Sequence, residues 1–438
     1  MFMRTLQVLL TLLLLMTLAS AVNAQEAAPS DEAPTTTTEV SPQPEAAPAP
    51  APAPAPAPER TTIAEAPSAQ AITAGYKKGF FIQSDSGDYK LKLNGRVQVR
   101  HDAEILEGGD DESKFLIPRA RLKMGGHAFT KDLTYKFQID FGKGEEALKD
   151  FYVDYKIVKD WLQIRAGQTK RPFSRQQITS SGKQILGDRA MTDKAFGAGR
   201  DIGVMFHNGF GKKNAFEYAL GVFNGTGDKG TFSGSVDDEG NVSGKFSNVP
   251  DLFDPMLVVR AGYNYGGLKR YSEGDFEGGD LRFGVAASAQ LDFDMASGTD
   301  ARVDLGVDAT LKVSGFSFDT EFFMRMEQDA PELAEDGSVS AETGFMDQSL
   351  TKMGLYAQAS YLIAEHYLPV IRYERLMPEG DNNDQQVITA GFGAFIYGHK
   401  LKIQTEASMI TSEGVDADTS EATSSNDWRV RTQLQLAF

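Results

Sequence analysis

From Tyr89 to His101 the chain reads YKLKLNGRVQVRH, and its apolar and polar residues alternate with period two. Tyr89, Leu91, Leu93, Val97 and Val99 share one face, while Lys90, Lys92, Asn94, Arg96, Gln98 and Arg100 share the other. A second face this densely ionised does not fit inside a soluble sandwich, where each buried unpaired charge costs several kcal/mol. It fits a wall with lipid on one side and water on the other, the basic face lining the water.

The same alternation, bounded by Gly, Asp, Asn or Pro turns, predicts further strands along the chain. They cover residues 116–127, 133–141, 150–156, 162–168, 201–210, 215–224, 256–265, 281–293, 301–314, 316–328, 352–363, 367–376, 387–398, 400–411 and 428–438. With the opening strand this gives about sixteen, an even number as in bacterial outer-membrane barrels. The connections read as alternately short and long, Gly142–Glu146 against Thr169–Gly199 and Tyr397–Gly398 against Ser412–Asn426. Short turns on one rim and long loops on the other are the habit of outer-membrane barrels. Tyr135, Tyr155, Trp161, Tyr265, Tyr361 and Trp428 fall near strand ends, as an interfacial girdle would. The fold class expected is therefore all-β, a transmembrane antiparallel barrel over residues 76–438.

Two segments precede it. Arg4, an apolar core from Leu6 to Leu18 and the small residues up to Ala24 read as a secretory signal peptide of residues 1–24. Its apolar core is shorter than the roughly 20 residues of a membrane helix. Residues 25–75 are rich in Ala, Pro, Thr and Glu, with unbroken Ala-Pro alternation from Ala47 to Pro58. Proline at every second position forbids helix and ladder alike and favours an extended spacer of roughly 3.1 Å per residue. This tract reads as a disordered periplasmic tether or as a contact for the cell wall. The chain has no cysteine, so it carries no disulfide staples and no lipid-modified cysteine.

Charge complicates the picture. The formal total is -17, so any cationic surface must be local. The first five strands put Lys90, Lys92, Arg96, Arg100, Arg119, Arg121, Lys123, Lys136 and Arg165 on the wet face, with Asp140, Asp150 and Asp154 against them. Later strands are mixed: Asp304, Asp308, Asp319, Glu321 and Glu327 accompany Arg302, Lys312 and Arg325. Lined arginines and lysines select anions, and arginine's planar fork suits phosphate-like ligands. The long segment Thr169–Gly199 adds Lys170, Arg171, Arg175, Lys183, Arg189 and Lys194 with Ser174, Ser180 and Ser181, the makings of an oxyanion constriction if it folds inward. Asp150 reads either as a salt-bridge partner for lumen cations or as a carboxylate sharing a proton with a hydrogen-bearing oxyanion. His101, His127, His207, His366 and His399 lack metal-ligand spacing, and most of them read as solvated rim residues.

The runs RARLKMGG, LKDFYVDY, LQIRAGQTKRPFS, TSS, DRA, RDIGV and YALGVFNG, between Arg119 and Gly225, together resemble the phosphate-selective porins of the O and P type. The resemblance implies a homotrimer of sixteen-stranded barrels with arginines leading to a narrow anion site, and it aligns Asp150, Ser180, Ser181 and Arg189 with residues of that constriction. Gln177 stands where it implies a lysine, a place that Lys170 or Lys183 would have to fill. The function expected is passive uptake of small anions, phosphate or polyphosphate, by a channel in the bacterial outer membrane. The anion pathway would comprise Arg96, Arg100, Arg119, Arg121, Lys123, Lys136, Asp150, Arg165, Lys170, Ser180, Ser181 and Arg189. Outer-membrane lipid and further copies of the chain are the other expected partners, with no nucleic acid, metal or cofactor. Three alternatives stay open: a general diffusion pore, a plugged barrel acting as an anchor, and a lipid-facing enzyme with a Ser–His pair.

Overall fold

The alternation resolves into two surfaces of one closed sheet. The computed structural model describes residues 72–438 except 198, 211–213, 228–230, 237–241, 248, 250–252, 254, 294–301, 329–347, 380–382 and 416–421. The signal segment and the Ala-Pro tract up to residue 71 lie outside the described residues.

Sixteen strands form the barrel. They are β1 (Lys90–Ile105), β2 (Glu112–His127), β3 (Leu133–Asp140), β4 (Ala147–Val158), β5 (Leu162–Lys170), β6 (Arg200–His207), β7 (Phe216–Phe223) and β8 (Met256–Tyr265). The circuit continues through β9 (Arg282–Asp292), β10 (Arg302–Val313), β11 (Phe316–Gln328), β12 (Gln348–Tyr361), β13 (Tyr367–Pro378), β14 (Gln385–Ala394), β15 (Leu401–Val415) and β16 (Ala422–Ala437). Neighbours pair antiparallel, and β16 closes on β1 with Gln433 opposite Arg100 and Leu434 opposite Val99. Closure leaves no free edge, so backbone groups at membrane depth are satisfied within the sheet. A short hairpin, Ile72–Tyr76 with Phe80–Ser84, lies beside the start of β1, Phe80 facing Leu93.

Each predicted strand falls on one of the sixteen. On β1, Leu91, Leu93, Val97 and Val99 point outward and are exposed, whereas Gln98, Arg100 and Asp102 point inward and are buried. In β2 a bulge keeps that phase. Between Gln98 and Arg100 of β1 the partner strand advances from Arg119 to Leu116, one residue extra, beside Pro118. Proline has no N–H to give a ladder, and the extra residue returns Arg119 and Arg121 to the inner face.

Chain direction assigns the rims. The ends of even strands share a rim with the start of β1, here the terminal rim, and the ends of odd strands share the loop rim. Gly142–Glu146, expected on the short-turn side, joins β3 to β4 and therefore shares the loop rim with the long segment after β5. The strict alternation of lengths fails there, because one loop-rim connection is itself short. It fails again on the terminal rim. β10 and β11 are joined through Ser314 and Gly315 alone, but β8 and β9 are joined by residues 266–281, a long connection that turns into the lumen.

The segment after β5 also folds inward. It carries two short helices, α1 (Arg175–Ile178) and α2 (Met191–Phe196). Apolar anchors hold it at both ends. Phe173 and Phe196 pack with Phe323, Phe223 and Met256 from the wall, and Ile185 and Leu186 pack with Leu368, Val370 and Phe395. Each such buried side chain is worth roughly 1.5–3 kcal/mol, enough to hold a polar loop off the rim.

Candidate functional site: the basic half of the lumen

The register brings cations of the first strands directly together. Arg96 faces Arg121, Gln98 faces Arg119, and Arg100 lies beside β16, whose Arg431 faces Asp102 and whose Arg429 faces Glu104. Like charges opposite one another in a ladder repel, so they persist only where a third group is shared. The inward loop supplies two such groups. The Ser181 hydroxyl accepts from Arg96 Nη2 at 2.8 Å and from Arg121 Nη1 at 3.1 Å. Asp188 takes Arg100 Nη1 at 2.7 Å and Arg119 Nη2 at 2.9 Å, with Arg431 Nη1 at 3.4 Å. Burial alone would raise the Asp188 carboxyl, but Arg119, Arg100 and Arg431 hold it well below the ordinary carboxylate range. Gly182 leaves room for the Arg96 guanidinium: a Cβ there would lie 2.1 Å from Arg96 Nη1 and would push the arginine tip aside.

Toward the terminal rim this seam opens into a cavity of ≈ 190 Å³. Its lining includes Arg121, Lys136, Arg165, Lys170 and Arg200, one carboxylate, Asp150, and the Ser180 and Thr169 hydroxyls. Asp150 accepts from Lys136 and from Arg200 Nε, the latter at 2.6 Å, which is the salt-bridge role. Arg165 is fixed by Asp154, at 2.6 and 3.0 Å, and lies over the Tyr152 ring at 4.1 Å. Toward the loop rim a second cavity, ≈ 320 Å³, is lined by Arg189, Lys194, Arg372, Arg429 and Arg431 with Asp188 and Glu374.

Lys170 and Arg189 sit between the two. The Lys170 ammonium donates to the carbonyls of Gln177, Ile178 and Thr179, and Arg189 donates to those of Gln176, Gln177 and Thr179. Both cations thus cap the carbonyl end of α1, a favourable place for positive charge. Lys170 reaches Gln177 itself, at 2.5 Å from its carbonyl, while Lys183 points away and is exposed. Ser180 is exposed toward the terminal-rim cavity. Lys123 is exposed on the inner face with neither a hydrogen bond nor an ion pair among the described residues.

Of the residues picked out from sequence, Arg121, Lys136, Asp150, Arg165, Lys170 and Ser180 meet in one cavity, and Arg96, Arg100, Arg119 and Ser181 form the seam leading from it. Arg189 belongs to the other chamber. Arg200, Arg372, Arg429, Arg431 and Asp188 were missed, although the phase of WRVRTQLQ in β16 puts Arg429 and Arg431 on one face as plainly as β1 does. His207 is no rim residue: it is buried, 3.2 Å from Asp154 and stacked on Phe210.

Apart from Glu327, whose side chain is 43% exposed near the loop rim, the acidic wall of the later strands does not face water. Asp304, Asp308, Asp319 and Glu321 are at most 4% exposed. Asp308 holds Arg175 of the inward loop and Arg260, each at 2.6 Å, Glu321 accepts the Gln176 amide at 2.6 Å, and Asp304 is paired with Arg325. The lumen thus has two sides lengthwise, one whose carboxylates are buried against cations and the inward loop, and one whose cations line the two cavities.

A closed barrel with an outward apolar face and a charged, chambered interior is an outer-membrane channel of the porin class, and comparison with known proteins narrows this further. The family model described as phosphate-selective porin O and P matches residues 91–438, and the chain belongs to that family. An uncharacterized protein of Aquifex aeolicus (strain VF5) is 27% identical over 355 residues, covering 71% of this chain and 80% of that one. Among solved structures, the anion-selective porin from Comamonas acidovorans superposes with a TM-score of 0.51 at 10% identity, over 80% of this chain and 99% of that one. The outer membrane channel DcaP of Acinetobacter baumannii gives 0.50 at 13% identity, over 79% and 97%. At these identities the two structures speak for the fold.

Proposed function

We propose that this channel carries small anions passively across the outer membrane, phosphate-like ions above all, guided by the lumen arginines and lysines. The observation that carries the reading is the unequal access of the two walls to water: cations line both chambers while Asp304, Asp308, Asp319 and Glu321 of β10 and β11 are covered. Fixed positive charge in a narrow, partly desolvated passage concentrates anions and replaces their lost hydration. An anion entering from the loop rim would meet Arg189, Arg429 and Arg431, pass the seam of Arg119, Arg121, Arg96 and Ser181, and reach Lys136, Arg165, Arg200 and Ser180. Lys123, unpaired, would draw it on toward the terminal rim. Phosphate suits this route because guanidiniums and hydroxyls supply its donors in pairs. A general diffusion pore with opposed charged walls is less well supported, since one of those walls is dry. In this reading the protein works as a homotrimer, as its family implies, with residues 1–24 removed and the Ala-Pro tract on the periplasmic side.

Planar-bilayer recording tests it. Under a potassium chloride gradient the reversal potential of the parent should lie on the chloride side, and added phosphate should block the chloride current. Arg121→Ala and Arg189→Ala should each lower the chloride-to-potassium permeability ratio several-fold and weaken the block. Unchanged reversal potentials in both variants would exclude these arginines from selection. A nonselective parent would favour the diffusion pore, and a silent one the anchor.

A further inference from the structure

The connection 266–281 enters the lumen from the terminal rim and is the least expected element of the barrel. Leu268, Arg270, Tyr271, Glu273 and Asp275 on it are buried. Arg270 Nη1 lies 2.5 Å from Glu217 Oε2, and the Tyr271 hydroxyl donates to Glu217 Oε1 at 2.9 Å. Lys312 donates to the carbonyls of Ser272 and Gly274, and Asp275 accepts the Gly315 amide at 2.9 Å and Arg282 at 2.6 Å. Phe276 packs against Phe395 with its ring tilted, 4.8 Å between centroids. The turn at Gly274 has φ +73, and a side chain there would also crowd Ile185 and Leu368.

This segment meets the loop that descends from the opposite rim. The Ile185 amide donates to Glu273 Oε2 at 2.8 Å, and the Glu273 amide donates to the Lys183 carbonyl at 3.1 Å. The two segments thus join inside the barrel, and behind them lie Glu217, Asp308, Asp319 and Glu321. Glu217 is paired with Arg260 and Arg270 and Asp308 with Arg175 and Arg260. Glu321 meets the Gln176 amide and the Tyr356 hydroxyl instead of a cation, but with Lys312 the cations equal these four carboxylates in number, so the region is close to neutral. Filled with water, it would be a second route with no preference for either sign.

We propose that the 266–281 insertion is the selectivity-determining element of the channel: by sealing the charge-balanced half of the lumen it forces permeating ions along the basic half. This rests on the anion-channel reading. Residues of the insertion need not touch the permeating anion; they decide which wall it meets.

Two measurements test it. Replacing residues 268–279 with a Gly-Ser-Gly turn should raise single-channel conductance and bring the chloride-to-potassium permeability ratio several-fold closer to unity. A shortened channel with the parent's ratio overturns the proposal. The second measurement leaves the insertion intact and exploits the absence of native cysteine. Ser317, 1% exposed and hydrogen-bonded to Ser360 behind the insertion, is changed to cysteine and treated with a charged, membrane-impermeant thiol reagent. Ser317→Cys should react at least about tenfold more slowly than Ser180→Cys on the wet side, because reaction follows access to the thiolate. Equal rates overturn the sealing. A parent without anion preference overturns the anion reading and this proposal together, whereas a selective parent with a reactive Ser317→Cys overturns this proposal alone.

Discussion

Asp188 shows how a single carboxylate organises this lumen. It lies among Arg100, Arg119 and Arg431, on a loop that no ladder holds in place. Asp188→Asn would leave three guanidiniums facing each other, and breaking a largely buried pair in this way costs on the order of 3 kcal/mol. The variant should therefore show a lower unfolding temperature by heat-dependent gel mobility, together with a larger chloride current from the released arginines. A variant as heat-resistant as the parent would mean that the loop is held by its apolar anchors alone. Period two reveals which way Arg119 points, but a partner thirty or more positions away has no local signature. For the same reason nothing in the sequence reveals that Lys170 and Arg189 also rest on the carbonyls of α1. Only the folded loop brings those carbonyls within reach.

Elements differ in how openly the chain declares them. The strands were legible because lipid and water impose opposite demands on successive residues, and one misphased charge on the lipid side costs roughly 2–4 kcal/mol at the bilayer midplane. The inward course of the loop after β5 was legible in part, from its length and its mixture of cations and hydroxyls. The 266–281 insertion was not. Its Gly266, Gly267, Gly274, Gly278 and Gly279, mixed with charges, look like any solvated turn, and its burial depends on Glu217, Lys312 and Phe395 of other strands. Within the loop, α1 is too short to persist unaided. Lys170→Met would remove the donor shared by three of its carbonyls, at about 1 kcal/mol for each net hydrogen bond lost. The expected readout is a noisier open state, with current fluctuations above the parent's at equal voltage. A quiet trace would show that Arg189 suffices as the cap.

For the whole molecule, net charge is a poor guide to the pore. The chain totals -17, yet Asp304, Asp308, Asp319 and Glu321 of the late strands are covered and Asp140, Asp150 and Asp154 of the early strands are bound to cations. Composition could not reveal this, because it counts charges without their access to water. Part of that acid belongs to the tract before the barrel. Deleting residues 25–71, which spares the Ile72–Tyr76 hairpin, should leave assembly and conductance as in the parent. Size-exclusion profiles and bilayer currents check this, and loss of the assembled species would give the tract a role beyond spacing. The lengthwise division of the lumen also has a genetic consequence. Lesions around Glu217, Asp308 and Glu321 should register as poor biogenesis, while those around Arg121, Arg165 and Arg200 should yield well-made protein that starves the cell of its solute. One circumference would then answer to two kinds of selection, folding along one arc and nutrition along the other.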